Sequence, residues 1–138
     1  NEGTIQFPIL PNGSGWKSSE QSNLSVIETT VVPFEIKRVY YLYDVPAGAE
    51  RGGHSHKEQQ EFLIALSGSF DVVLNDGFQQ KTIALNKPFE GLLINKGIWR
   101  ELKNFSSGAV CLVVASDVFS EEDYIRDFED FIKSTSIS

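Results

Sequence analysis

Between Leu24 and Ala115 the chain is cut into short apolar or alternating runs, with Gly, Pro, Asn, Asp or Ser recurring between them. Turn signals every ~8–12 residues leave room for strands and little room for long helices. Leu24 to Glu28 reads as a short strand, and Pro33-Phe34 breaks before the next. Ile36-Lys-Arg-Val-Tyr-Tyr-Leu-Tyr43 is rich in aromatic and β-branched residues, as strands are. Asp44 to Gly53 reads as a turn region. Glu61 to Leu66 and Ser69 to Leu74 follow as strands on either side of Ser67-Gly68. Asn75-Asp76-Gly77 is a hairpin signal, because Asp-Gly supplies the positive φ angles of a tight turn. Lys81 to Leu85, Gly91 to Ile94 and Val110 to Ala115 complete the set. Only the tail changes character. Ser120 and the acidic run Glu121-Glu-Asp123 predict a helix start, and Tyr124, Ile125, Phe128, Phe131 and Ile132 recur at helical spacing as a docking face over 120–133. Many short strands followed by one short C-terminal helix predict an all-β barrel or jelly roll.

A chain of 138 residues is expected to form one domain with a real core. Residues 1–23, rich in Gly, Ser, Pro and Asn, read as an N-terminal arm and loop, and 24–138 as the domain. The chain opens on Asn and contains no Met, the pattern expected of a processed or excised piece. A formal charge of −7 argues against non-specific nucleic-acid binding, though not against one anionic small ligand held by a local basic cluster. No apolar run approaches the ~18 residues of a membrane span, and no basic n-region precedes an apolar stretch. The lone Cys111 sits in an apolar run and reads as a buried small hydrophobe. Together these point to a cytoplasmic protein with no membrane partner.

Chemistry concentrates at Arg51-Gly-Gly-His-Ser-His-Lys57, which holds the only two histidines of the chain. In a strand, residues i and i+2 point to one face, roughly 7 Å apart. His54 and His56 would then share a pocket. Such a pair can bind a metal or move protons near neutral pH, and both chemistries are open from the spacing alone.

The surroundings of the pair are more specific. Gly48, His54, His56, Glu61 and Gly68 stand at the spacing of the first cupin motif, which this segment resembles. In metal-binding cupins the two His and the Glu are ligands, and a second motif supplies another His. Here that place in Gly97-Ile-Trp-Arg100-Glu-Leu-Lys-Asn104 is taken by Arg100, whose guanidinium offers no lone pair and repels a cation. Phe34 to Tyr43, Arg51 to Lys57, Leu66-Ser-Gly-Ser69, Gly91-Leu-Leu93, Trp99, Ala115-Ser-Asp117 and Asp123-Tyr-Ile-Arg126 together resemble one cupin family. That family is the dTDP-4-keto-6-deoxyhexose 3,4-ketoisomerases, the WxcM/FdtA/QdtA-like proteins of surface-sugar biosynthesis.

The resemblance implies a cupin jelly roll, a dTDP-linked 4-keto sugar as substrate, a homodimer, and isomerisation to the 3-keto sugar with no metal or cofactor. It also implies His54 as catalytic base, His56 as a second acid/base and Tyr40 as an active-site tyrosine. Arg51, Arg38, Lys57 and Arg100 are the cations expected at phosphate or substrate, since Arg suits phosphate geometry, with Glu61 beside them. Trp99 reads as core or wall. Three positions depart from the family pattern. Trp99-Arg100-Glu101 stands where Trp-His-Glu is usual, Glu61 where Gln is usual, and Ser22-Asn23 where Arg-Gly is usual. Glu61 restores a metal-type ligand, which Arg100 opposes. Two other readings stand beside the isomerase: an altered nucleotide-sugar-binding cupin without catalysis, and a metal-dependent cupin enzyme using His54, His56 and Glu61.

Overall fold

In the computed structural model, residues 9–11, 16–17, 23–28 and 31–136 are described. Their strands are β1 (Ile9–Pro11), β2 (Trp16–Lys17), β3 (Asn23–Leu24), β4 (Arg38–Leu42), β5 (Arg51–His56) and β6 (Glu61–Ser67). Then come β7 (Phe70–Asn75), β8 (Gln80–Leu85), β9 (Glu90–Ile94), β10 (Trp99–Lys103), β11 (Val110–Ala115), β12 (Tyr124–Ile125) and the helix α1 (Phe128–Ser136). Two antiparallel sheets carry the fold, in the orders β1-β9-β6-β11-β4 and β12-β5-β10-β7-β8. The strands cross between the sheets as in a jelly roll, the all-β architecture expected from the turn spacing. Most of the loop expected within residues 12–22 lies outside the described residues.

Side-chain alternation decides what each sheet buries. Leu63 and Ala65 of β6, Val72 and Leu74 of β7, Leu92 and Ile94 of β9, and Cys111 and Val113 of β11 meet between the sheets as the main core. The opposite face of β6 is also covered. Phe62 and Ile64 pack with Val32, Leu93 and Val114 under the segment that carries Ile27, Val31, Phe34 and Ile36. Double coverage explains why Glu61-Phe-Leu-Ile-Ala65 reads as a continuous buried run rather than an alternating one. Gly91 opposes Ile64 across the ladder, and the Phe62 ring lies over it: a Cβ at Gly91 would fall 2.1 Å from Cζ of that ring.

Three local readings are corrected. The strand expected over Leu24–Glu28 is limited to Asn23–Leu24, and the turn expected to reach Gly53 gives way to β5 from Arg51. The expected 120–133 helix is a 3-10 turn over Glu121–Asp123, then β12, and only then α1. Ser120 makes no side-chain cap bond, and Tyr124 and Ile125 instead pair with His56 and Ser55 on the edge of β5. An open strand edge offers backbone partners that a lone helical turn lacks, so the tail extends there. The apolar residues farther on do dock helically: Phe131 is buried, and the rings of Phe128 and Phe131 lie 5.2 and 5.7 Å from Trp99.

Candidate functional site

A cleft of about 370 Å³ opens between the two sheets. One wall carries Arg38, Tyr40 and Leu42 of β4, Glu61 and Leu63 of β6 and Val113 of β11; the other carries Arg51, Gly52 and His54 of β5 with Arg100 and Leu102 of β10. Phe119, Tyr124 and Arg126 close it from the C-terminal segment. The interior of the barrel is therefore split into an apolar half and a polar half.

A bulge aims β5 at this cleft. Arg100 pairs with His54 but Leu102 pairs with Arg51, so β5 spends one more residue than β10 over the same span. Gly52, at φ +86°, takes the left-handed backbone that such a bulge needs. In a regular strand Arg51 and His54, three apart, would face opposite sides; the bulge lets both line the cleft.

His54 and His56 do share one face, as their spacing predicts. Their Nε2 atoms are 3.1 Å apart and their rings meet edge to face at 4.7 Å. Tyr124 covers both, its ring 4.9 Å from His54 and 4.4 Å from His56. His56 is fully buried behind His54, and its Nδ1 lies 2.9 Å from Oδ2 of Asp123. Burial, then the positive charge of Arg100 and the neighbouring His56, push His54 down to about 3, so its ring is neutral at physiological pH.

Glu61 is the hub of a second network. Its Oε1 accepts from Arg100 Nη1 at 2.5 Å, and its Oε2 accepts from the Tyr40 hydroxyl at 2.8 Å and from Gln59 Nε2 at 2.7 Å. Burial alone would raise this carboxyl. The Arg100 guanidinium, His56 and the Tyr40 hydroxyl together outweigh it and hold Glu61 down at about 2. Burial and the Glu61 charge push the Tyr40 phenol well above the ordinary tyrosine range, so it keeps its proton. Ligand-type atoms of His54, His56 and Glu61 all lie within 4.8 Å of one another. The set fits a metal ion poorly, because both Glu61 oxygens are engaged and a fixed guanidinium stands where a cation would draw on them.

Of the residues expected at the site, His54, Tyr40, Arg38, Arg51, Arg100 and Glu61 line one cleft, and His56 backs it. Lys57 does not: it is exposed and falls outside the cleft lining. Trp99 packs under α1 as a wall and donates Nε1–H to Glu101 at 2.9 Å. Several contributors lie outside the sequence expectation: Asp123, expected only at a helix start, Tyr124, expected only on its apolar face, and Gln59 and Phe119. Their signal was tertiary: Asp123 reaches His56 across 67 residues of chain. Arg126, also unforeseen, lies 4.1 Å over the Tyr124 ring and chelates Glu121 at 2.7 and 2.9 Å. Arg38 stacks 4.8 Å from Tyr40, and among the described residues neither it nor Arg51 has a carboxylate partner.

The sequence family described as FdtA, WxcM-like, C-terminal, matches residues 5–136. A TDP-4-oxo-6-deoxy-alpha-D-glucose-3,4-oxoisomerase of Aneurinibacillus thermoaerophilus is 41% identical over 115 residues, 83% of each chain. A solved 3,4-ketoisomerase of Helicobacter canadensis is 43% identical with a TM-score of 0.90, covering 96% of this chain and 99% of that one. The sugar 3,4-ketoisomerase QdtA of Thermoanaerobacterium thermosaccharolyticum, solved in complex with TDP, is 37% identical with a TM-score of 0.89 over 94% of each.

Proposed function

The chain belongs to the FdtA family of WxcM-like proteins, and we propose that it is a 3,4-ketoisomerase of TDP-linked 4-keto-6-deoxyhexoses. One observation carries the reading: two buried imidazoles in direct contact at the base of a cleft with arginines around it. The relatives isomerise such sugars by name, and the residues here have the chemistry for it.

Moving a carbonyl from C4 to C3 transfers one carbon-bound proton. The C3–H bond breaks, the base takes the proton, and the electron pair forms the C3=C4 bond of an enediolate with the charge on O4. A proton then passes from O3 to O4. Reprotonation at C4 leaves the carbonyl at C3, and atoms and charge balance. His54, neutral and on the cleft wall, is the base. His56 behind it is the second proton carrier. Tyr40, which keeps its proton, and Arg100 line the same cleft as His54, and we assign to them the stabilisation of the enediolate charge. Arg38 and Arg51, free of carboxylate partners among the described residues, suit the diphosphate, and the aromatic rings of Phe119 and Tyr124 bound the same cleft. Lys57 is not part of this assignment.

No step uses a metal. Protein purified without chelator is expected to contain no stoichiometric Fe, Mn, Ni or Zn. The decisive experiment incubates the protein with TDP-4-keto-6-deoxyglucose in D2O and follows the sugar by NMR. The 3-keto product with deuterium entering at the reacting carbons is expected. A sugar that binds and is left unchanged would turn the reading into that of a binding protein.

The proposal extends to a homodimer. Val39 and Tyr41 on the outer face of β4, and Tyr43 just past its end, are 54%, 59% and 61% exposed, an apolar stripe suited to association. Sedimentation checks it. A cytoplasmic setting, supplying sugars for surface polysaccharide, completes the proposal. Among the described residues no helix is long and apolar enough to cross a membrane.

A further inference from the structure

We propose that Asp123 is a positioning residue that fixes the tautomer of His56 and thereby the direction in which the histidine pair passes protons. The inference rests on the isomerase reading for its consequence, but its geometry stands apart from it.

Asp123 sits at the end of the 3-10 turn, next to β12, and is brought to the pair by the pairing of β12 with β5. Its carboxylate receives three N–H groups from one short stretch of chain. Oδ1 accepts the backbone N–H of Glu58 at 2.7 Å; Oδ2 accepts the backbone N–H of Gln59 at 3.3 Å and faces His56 Nδ1 at 2.9 Å. The backbone of Asp123 is tied down too, its carbonyl accepting the N–H of Lys57 at 2.9 Å. Both oxygens are thus oriented before the imidazole is considered. An ionised carboxylate only accepts, so His56 Nδ1 must carry a proton.

The consequence passes along the pair. With Nδ1 protonated and the ring neutral, His56 Nε2 is a lone pair. It lies 3.1 Å from His54 Nε2 and 3.4 Å from Gln59 Nε2, both of which can donate to it. His54 Nε2 then holds the shared proton, and Nδ1 becomes the unprotonated nitrogen of His54. A proton taken up at His54 can be compensated by release from Nε2 to His56, whose positive charge Asp123 stabilises. This is the division of labour of a carboxylate–imidazole–base chain, with a second imidazole in place of a hydroxyl. Glu61 cannot take this role: it approaches the other ring nitrogen, 3.5 Å from His56 Nε2, and both its oxygens are already engaged by Arg100, Tyr40 and Gln59.

The chain's two histidines make the test clean. In 15N-histidine-labelled full-length protein, long-range proton–nitrogen correlation should show His56 protonated at Nδ1. A His56 with bare Nδ1 and protonated Nε2 overturns the proposal without any variant. In Asp123→Asn only one acceptor oxygen is left for three N–H groups, and the new NH2 donates. His56 is expected to shift toward the Nε2–H form, with kcat lowered at least about tenfold and KM changed much less. Asp123→Glu should restore part of both. A folded Asp123→Asn protein with unchanged His56 nitrogens and unchanged kcat also overturns it. Failure of the isomerase reading shows differently, as absence of turnover in the unmodified protein with the tautomer signature intact.

Discussion

His54 is an imidazole made neutral by its surroundings, and that has consequences in two assays. For the proposed reaction, His54→Asn removes the base while keeping size and polarity; kcat should fall by about 10²–10⁴-fold with little change in KM. An undiminished rate would refute the assignment. For stability, the unfolded chain binds a proton at His54 near its ordinary 6.5, whereas the folded chain resists until about 3. Between those values the unfolded state holds more protons, so lowering the pH weakens the fold across that window. Glu61 adds a second slope of the same sign. Its folded value near 2 lies below the ordinary 4.5, so the stability it contributes is complete above 4.5 and is lost as pH falls toward 2. Thermal melts from pH 7 to pH 3 should therefore show a shallower decline in His54→Asn than in the parent protein. Parallel curves would mean that His54 is readily protonated in the fold. Arg100 connects the two readouts: it lowers both His54 and Glu61, so the charge that discourages a cation also keeps the base unprotonated.

Elements rich in apolar and β-branched residues, β4 and β6 of the site among them, were readable from the sequence, and the polar strands β5 and β10 and the short β12 were not. The Phe62–Gly91 contact belongs to the readable class, and it is testable. In Gly91→Ala the new methyl would overlap three atoms of a fully buried ring, at 2.1, 2.5 and 2.6 Å, which the doubly covered β6 cannot yield to easily. A loss of about 1–3 kcal/mol is expected by denaturant titration, with the cleft chemistry intact. A neutral result would show that the sheet relaxes there. Strands β6 and β11 announced themselves by continuous apolar runs, and the β7–β8 hairpin by Asn75-Asp76-Gly77. Its turn is wider than a two-residue one: Asn75 pairs with Gln80, and the Asp76 side chain accepts from the backbone of Phe78 and Gln79. Strands β5 and β10 were hidden because Arg51-Gly-Gly-His-Ser-His56 and Trp99-Arg-Glu-Leu-Lys103 turn polar groups into the barrel. A bulge at Gly52 shifts the alternation as well. β12 was hidden for another reason: its sequence is compatible with a helix, and only the open edge of β5 decides otherwise. Ser55, between the two histidines, shows what such a strand tolerates. Its hydroxyl is buried with no partner among the described residues.

At the scale of the whole molecule, the apolar half of the barrel and the polar half are built from the same strands but respond to different demands. Leu63 and Val113 belong to the core and also floor the cleft. The spacing of His54, His56 and Glu61 made the location of the site readable; the resemblance to one cupin family supplied the chemistry and pointed to Tyr40 and the arginines of the lining, but not to its apolar walls. What stayed hidden was the contribution of residues 117–126, because no local pattern encodes a contact with β5. That segment makes the site composite, and the molecule can be divided there as a test. A chain ending after Asp117 keeps both sheets apart from β12 and should retain strand structure by circular dichroism, at reduced stability because Trp99 loses its cover. It should lose the Nδ1 proton preference of His56 and nearly all turnover. Retention of full activity would remove the tail from the machinery. The docking of β12 also orders events in time. A ribosome makes the sheets first and the closing segment afterwards, so the barrel can assemble while the histidine pair still lacks Asp123 and its Tyr124 cover. On the proposed assignment, catalytic competence then follows the docking of β12 and not the closure of the sheets.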